Sequence, residues 1–152
     1  MTKSISEVLK AANNISNVEE RITFLQNNNS NALLTVLKIA FDSTIKWSLP
    51  EGIPHYNASQ STESHGLIHS AAILRKVKYF FEGNGFEGMK AMKREQLFIE
   101  FLETLDKDDA GLICYIKENK NVPYRKITKS FVRKCFPELL EDNAEADSEE
   151  KH

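Results

Sequence analysis

Cysteine is scarce in this chain. Cys114 and Cys135 are the only two, each in apolar company: Leu112, Ile113 and Tyr115 around one, Phe131, Val132 and Phe136 around the other. They read as reduced core thiols, which excludes a disulfide framework and points to the cytoplasm. Long apolar runs are missing too, so no segment is expected to span a membrane. Met1 to Lys10 already alternates polar and apolar residues, which does not fit a signal peptide. Phosphate-binding glycine motifs are also lacking. Gly83-Asn84-Gly85 is followed by Phe86-Glu87-Gly88 and opens no strand–helix unit, so these glycines are expected to form a turn.

Ligand and nucleophile clusters are equally sparse. His65 and His69 are four apart and fit one helix face as a metal-binding pair would. No third ligand stands at matching spacing, and there is no C-x-x-C or H-E-x-x-H. Asp106, Asp108 and Asp109 lack the glycine and the distant glutamate of a calcium loop and read as helix caps. With no nucleophile–base pair, metal cluster or phosphate loop, the expectation is a protein that is not an enzyme and needs no metal or cofactor.

What is present is helical periodicity. At 152 residues the chain suits one domain with a single sizeable core. Ser4 to Glu7 forms a capping box, with Ile5, Val8, Leu9 and Ala12 following at helical spacing. Asn17 starts a second helix whose stripe is Val18, Ile22 and Leu25. The Asn27–Asn31 run breaks the chain, since short polar side chains hydrogen-bond the nearby backbone. Asn31 to Phe41 is apolar almost all round and is the expected central helix.

Ile45 to Pro50 reads as an extended arm and Pro54 to Ser64 as a polar surface loop. A long helix is expected from Leu67 to Glu82, then a flexible turn from Gly83 to Gly88. Lys90 to Leu105 follows as a helix with Leu97, Phe98, Phe101, Leu102 and Leu105 inward. Asp106 or Asp108 should cap a helix over Asp109 to Glu118, burying Leu112, Ile113, Tyr115 and Ile116. Thr128 is the expected N-cap of a last helix, stopped by Pro137. The reading is an all-α fold: one compact helical domain of about six or seven helices over residues 1–140, and a disordered acidic tail over 141–152.

The charges are segregated along this frame. Lys117, Lys120, Arg125, Lys126, Lys129, Arg133 and Lys134 put seven cations into eighteen residues against the single Glu118. From Glu138 to Glu150 the chain carries seven acids and no cation. Residues 1–137 hold 19 of the 20 cations and 15 of the 22 acids, a body charge of +4. A second basic set, Arg75, Lys76, Lys78, Lys90, Lys93 and Arg94, flanks the glycine-rich turn. In the last helix, Lys126, Lys129, Arg133 and Lys134 are expected opposite the apolar Phe131, Val132 and Cys135. Two patches of this kind can track successive phosphates of a duplex, giving affinity without sequence reading. The tail should compete with phosphate for the same cations.

The order of elements resembles the all-helical N-terminal DNA-binding domain of ATP-dependent DNA ligases, especially those of T-even-like phages. The resemblance lies in Leu25 to Leu37 (LQNNNSNALLTVL), similar to L-x-x-N-x-x-N-x-L-L-x-x-V, and in Ala40 to Pro50 (AFDSTIKWSLP). It continues in a closing element from Tyr124-Arg125-Lys126-Ile127-Thr128 to Phe136-Pro137-Glu138-Leu139-Leu140. It implies backbone contacts to duplex DNA, with Arg125, Lys126, Lys129 and Arg133 facing the DNA. The nucleotidyltransferase domain and its K-x-D-G adenylation motif are missing. Asn121-Val122-Pro123-Tyr124 stand where that family has small residues.

The function expected from the sequence is a stand-alone, sequence-tolerant duplex-DNA-binding accessory protein of phage DNA replication, repair or transcription, acting in the host cytoplasm. The alternative is a protein-interaction module that binds and modulates a host or phage nucleic-acid enzyme, such as a replication or transcription protein.

Overall fold

Five of the six described α-helices start where a short polar side chain closes the first turn. Residues 4–57 and 75–141 are described by a computed structural model. Among them the chain is all-α, with six α-helices, one 3-10 helix and no strand. The helices are α1 (Ile5–Asn13), α2 (Val18–Asn27), α3 (Asn31–Phe41), α4 (Ala91–Thr104), α5 (Lys107–Asn119) and α6 (Lys129–Cys135), with the 3-10 helix Lys76–Phe80 between α3 and α4. Ser4 accepts from the Glu7 N–H at 3.1 Å, Asn17 from Glu20 at 2.9 Å and Ser30 from Leu33 at 3.0 Å. Asp106 caps α5 and Thr128 caps α6 in the same way. Each such cap satisfies a donor that the helix itself leaves unpaired.

Helix α3 is central. It buries Ala32, Leu33, Val36, Leu37, Ile39, Ala40 and Phe41, as its all-round apolarity predicted. It shares one core with Ile5, Leu9 and Ala12 of α1, Phe98, Phe101 and Leu102 of α4, and Leu112, Ile113 and Ile116 of α5. Both cysteines are buried and reduced. Burial pushes the Cys114 thiol above its ordinary pKa and the Cys135 thiol up to about 11. Among the described residues no helix is long and apolar enough to cross a membrane.

Two long-range polar links tie this core together. The buried carboxylate of Asp109 on α5 accepts from the Ser6 N–H at 2.8 Å and the Ile5 N–H at 3.3 Å, so α5 caps the first turn of α1. At the other end, the buried Asp42 carboxylate takes the Thr44 N–H at 2.9 Å and its hydroxyl at 2.7 Å. Lys38 stands 3.5 Å from Asp42 and donates to the Leu139 carbonyl at 3.2 Å. The segment Leu139–Glu141 is thereby fixed to α3.

The expected helix over Leu67–Glu82 is not what forms in its described part; residues 67–74 lie outside the described residues. Lys76–Phe80 is 3-10, and Phe81 is extended and bridges antiparallel to Trp47. The cause is the arm after α3. Ser48 N–H donates to the Phe80 carbonyl at 2.7 Å and Glu82 N–H to the Lys46 carbonyl at 2.9 Å, so this backbone is satisfied across chain segments. Trp47 packs on Phe81 with ring centroids 4.3 Å apart, and Phe80 on Phe98 at 5.2 Å. Gly83, at φ +87°, then turns the chain, a conformation that side chains disfavour.

Three further expectations need correcting. Val18 is 44% exposed, and α2 buries Arg21 with Leu25 instead. The Arg21 guanidinium donates to the Ile15 and Ser16 carbonyls and lies 5.3 Å from the Phe131 ring centre, which satisfies it where an apolar side chain was expected. Tyr115 is 37% exposed, because α5 turns it off the core between two open clefts. Lys126 precedes α6 instead of belonging to it. The loop expected over Pro54–Ser64 lies partly, and His65, His69 and the acidic tail beyond Glu141 lie wholly, outside the described residues.

Candidate nucleic-acid interface

The C-terminal end of α3 is where the basic residues gather. α5 stops at Lys120, whose φ of 53° is left-handed, and the chain crosses to α6 through Asn121–Thr128. Val122 and Ile127 anchor this loop in the core, and the Lys126 N–H donates to Asn13 of α1 at 2.9 Å. With those inward residues held, Arg125 and Lys126 are left exposed. On α6, Phe131, Val132 and Cys135 face in, so Lys134 is exposed and Lys129 and Arg133 are half-exposed.

Loop and helix end enclose a cleft of about 630 Å³, lined by Ser43, Tyr115, Tyr124, Arg125, Thr128 and Lys129 among others. Among the described residues, no carboxylate lines it. That separates it from the other clefts. Glu82 and Glu141 line a second one of about 490 Å³, and Glu51 with Glu95, Glu7 with Asp108, and Glu19 with Glu20 line three more. A polyanion meets attraction without opposing charge only in the first of these.

The second cleft borders the same helix end. Lys38, Thr44 and Ile45 line it from α3 and the arm, while Arg75 and Lys78 line it from the 3-10 segment. Arg75, Lys76, Lys78, Lys90 and Lys93 are all exposed, and the Lys78 ammonium lies 5.9 Å from the Phe86 ring centre. The two basic clefts therefore flank the α3 terminus, with Ser43 in one and Thr44 in the other.

Three cations expected at the surface serve the frame instead. Arg94 is only 8% exposed and donates to the Tyr79 carbonyl at 3.2 Å and the Phe86 carbonyl at 2.6 Å, pinning the glycine-rich turn to α4. Lys117 has a side chain 4% exposed, pairs with Glu118 and donates to the Pro50 carbonyl at 2.7 Å. Lys120 donates to the Ile39 carbonyl at 2.7 Å and the Ile45 carbonyl at 3.1 Å. Ile39 is in the last turn of α3, where helical carbonyls lack an internal partner, so the ammonium supplies one. These groups are already engaged and are poor phosphate ligands.

Sequence reasoning missed Lys38 and the two tyrosines. Lys38 was detectable as the i,i+4 partner of Asp42. Tyr115 carried no signal, since it stands among apolar residues, and Tyr124, directly before Arg125 and Lys126, was read only as the start of the closing element.

A family model described as a family of unknown function (DUF6433) matches residues 8–122. The chain belongs to DUF6433. The DUF6433 match runs from α1 through the 3-10 segment and α4 to the end of α5, and so takes in Lys38, Arg75, Lys78 and Lys120. Arg125 to Lys134 lie outside the matched residues. No curated protein matches this member. The DUF6433 description names no activity, so the functional reading rests on geometry and charge.

Proposed function

We propose that the protein is a non-enzymatic, sequence-tolerant DNA-binding accessory protein that engages the duplex backbone and acts in the cytoplasm, in phage DNA replication, repair or transcription. The observation that carries this reading is the pair of basic clefts flanking the α3 terminus, the larger lined by no carboxylate among the described residues. Phosphate contacts from Arg125, Lys126 and Lys134 on one side and Arg75 and Lys78 on the other suit a backbone-tracking surface. The ligase-domain resemblance supports the same ligand for Arg125, Lys126, Lys129 and Arg133.

The test is fluorescence anisotropy with duplex DNA of several sequences over a salt series. Affinity should be alike across sequences and fall steeply with salt, since each neutralised phosphate releases counterion with a slope of about −0.9 per contact. Absence of binding at tens of micromolar protein and low salt overturns the proposal.

A second reading, a module that docks on a nucleic-acid enzyme, is favoured by α2. Its outer face forms an open cleft with Glu19, Glu20 and Phe24, suited to a basic protein surface with an apolar anchor. Partners recovered from lysate that survive nuclease treatment and are lost on Glu20→Lys would favour it.

A further inference from the structure

We infer that the cleft beside Tyr115 seats an unpaired nucleobase, so that the protein prefers DNA with a single-stranded segment beside a duplex. This rests on the DNA-binding reading and adds to it the form of DNA that the cleft selects.

Backbone phosphates are met by cations on an open face and need no recess. Here a recess of about 630 Å³ lies directly beside the exposed cations, within the range of small-ligand sites and large enough for a nucleotide. Its walls are aromatic and rigid: Tyr115 from α5, Pro123 and Tyr124 from the loop. Tyr115 is the informative one. Its neighbours Leu112, Ile113, Cys114 and Ile116 are buried, yet it stays 37% exposed, and its phenol has no hydrogen-bond partner among the described residues. Tyr124 is held more firmly, half-buried and with its phenol against Ser6. Pro123, with its fixed φ, joins the two.

A phenol ring exposed beside a guanidinium and an ammonium is the combination that stacks a base and holds its phosphate, tolerant of base identity because every base has a π-face. Arg125 supplies the guanidinium and Lys126 an adjacent ammonium outside the cleft. Asn121, whose side-chain oxygen accepts from the Val122 N–H, adds an amide nitrogen at the rim for the edge of a base. A paired base inside the duplex is closed to such stacking, because its neighbours cover both its faces. Only a frayed end, overhang or gap presents one.

The experiment is anisotropy of the full chain with three probes: a blunt duplex, the same duplex with a short overhang, and the overhang strand alone. The overhang probe should bind about tenfold more tightly than the blunt duplex, within the range found for one or two stacked bases. Tyr115→Leu should remove that advantage, bringing the overhang probe down to the affinity of the blunt duplex. Tyr115→Phe, which keeps the ring, should retain the advantage. Circular dichroism checks that both variants keep wild-type helicity, expected for an exposed helical site. Equal affinity for blunt and overhang probes overturns the inference while leaving DNA binding in place. So does a Tyr115→Leu variant that weakens every probe alike. Failure of all three probes to bind removes the DNA-binding reading and the inference with it.

Discussion

The N–H of Glu141 donates to the buried carboxylate of Asp42 at 2.8 Å, joining positions 99 residues apart. Burial on its own raises the Asp42 pKa. The hydrogen bonds from Glu141 and Thr44 and the Lys38 charge outweigh it and hold the carboxyl below its ordinary 3.8. The stability it contributes is therefore full above pH 3.8 and is lost as pH falls through the lowered value. Asp42→Ala leaves several donors unpaired and should destabilise by about 2–4 kcal/mol at pH 7. Thermal melts from pH 7 downward should show the gap between wild type and variant closing only in acid. A constant gap would show that the charge does not matter.

Asp109 should behave in the opposite sense. Burial raises its pKa above 3.8 despite the Ser6 and Ile5 N–H bonds. Its stabilising contribution is full below that ordinary value and declines as pH rises through the raised one. Asp109→Ala should cost about 1–3 kcal/mol and speed amide exchange at the start of α1. The penalty should be larger in acid than at neutral pH, and a penalty that grows with pH would contradict the assignment.

On the binding face, Arg125→Glu, Lys126→Glu and Lys129→Glu together should abolish duplex binding. Helicity and melting temperature should change little, because the first two are exposed and the third is half-exposed. Unchanged affinity in a folded variant would move the contact to the Arg75–Lys93 side.

Arg94→Glu is the contrasting substitution. It removes two donors from the half-buried Tyr79 and Phe86 carbonyls and leaves a buried charge with no partner, so it should destabilise by about 3–5 kcal/mol. A variant that melts like wild type yet fails to bind DNA would place Arg94 in the interface instead.

Removing the residues after Glu141 keeps the Asp42 link intact and deletes most of the acidic tail. The tail leaves from the cleft that holds Lys38, Arg75 and Lys78. Its carboxylates are thus tethered near those cations, at an effective concentration on the order of millimolar. Truncated protein should bind duplex DNA more tightly, and the gain should shrink with salt as the Debye length falls below about 10 Å. Equal affinities for the two forms at low and high salt would assign the tail another role.

What the sequence could disclose divides along range. Ser4, Asn17 and Thr128 were legible because each cap and its donor are three residues apart. The central place of α3 was legible because its apolar residues surround it. The segment after Arg75 was misread because Val77 and Phe81, four apart, fit a helix face. The backbone pairing with Lys46 and Ser48 that decides otherwise comes from some thirty residues away. The same limit applied to the interface. Clustered cations were visible, but Arg94, Lys117 and Lys120 could not be recognised as engaged, since their carbonyl partners on Tyr79, Phe86, Pro50, Ile39 and Ile45 are set by tertiary packing.

The sheltered thiols make the molecule a convenient object for site-directed spectroscopy. Cys114 and Cys135 are covered by the core, and burial keeps them protonated near neutral pH. Maleimides and spin labels react with exposed thiolates and should pass both by. One cysteine placed at exposed Lys126 would then be the fast-reacting site in an otherwise native chain. A reporter could sit beside the Tyr115–Tyr124 cleft without first removing either natural thiol from the packed interior.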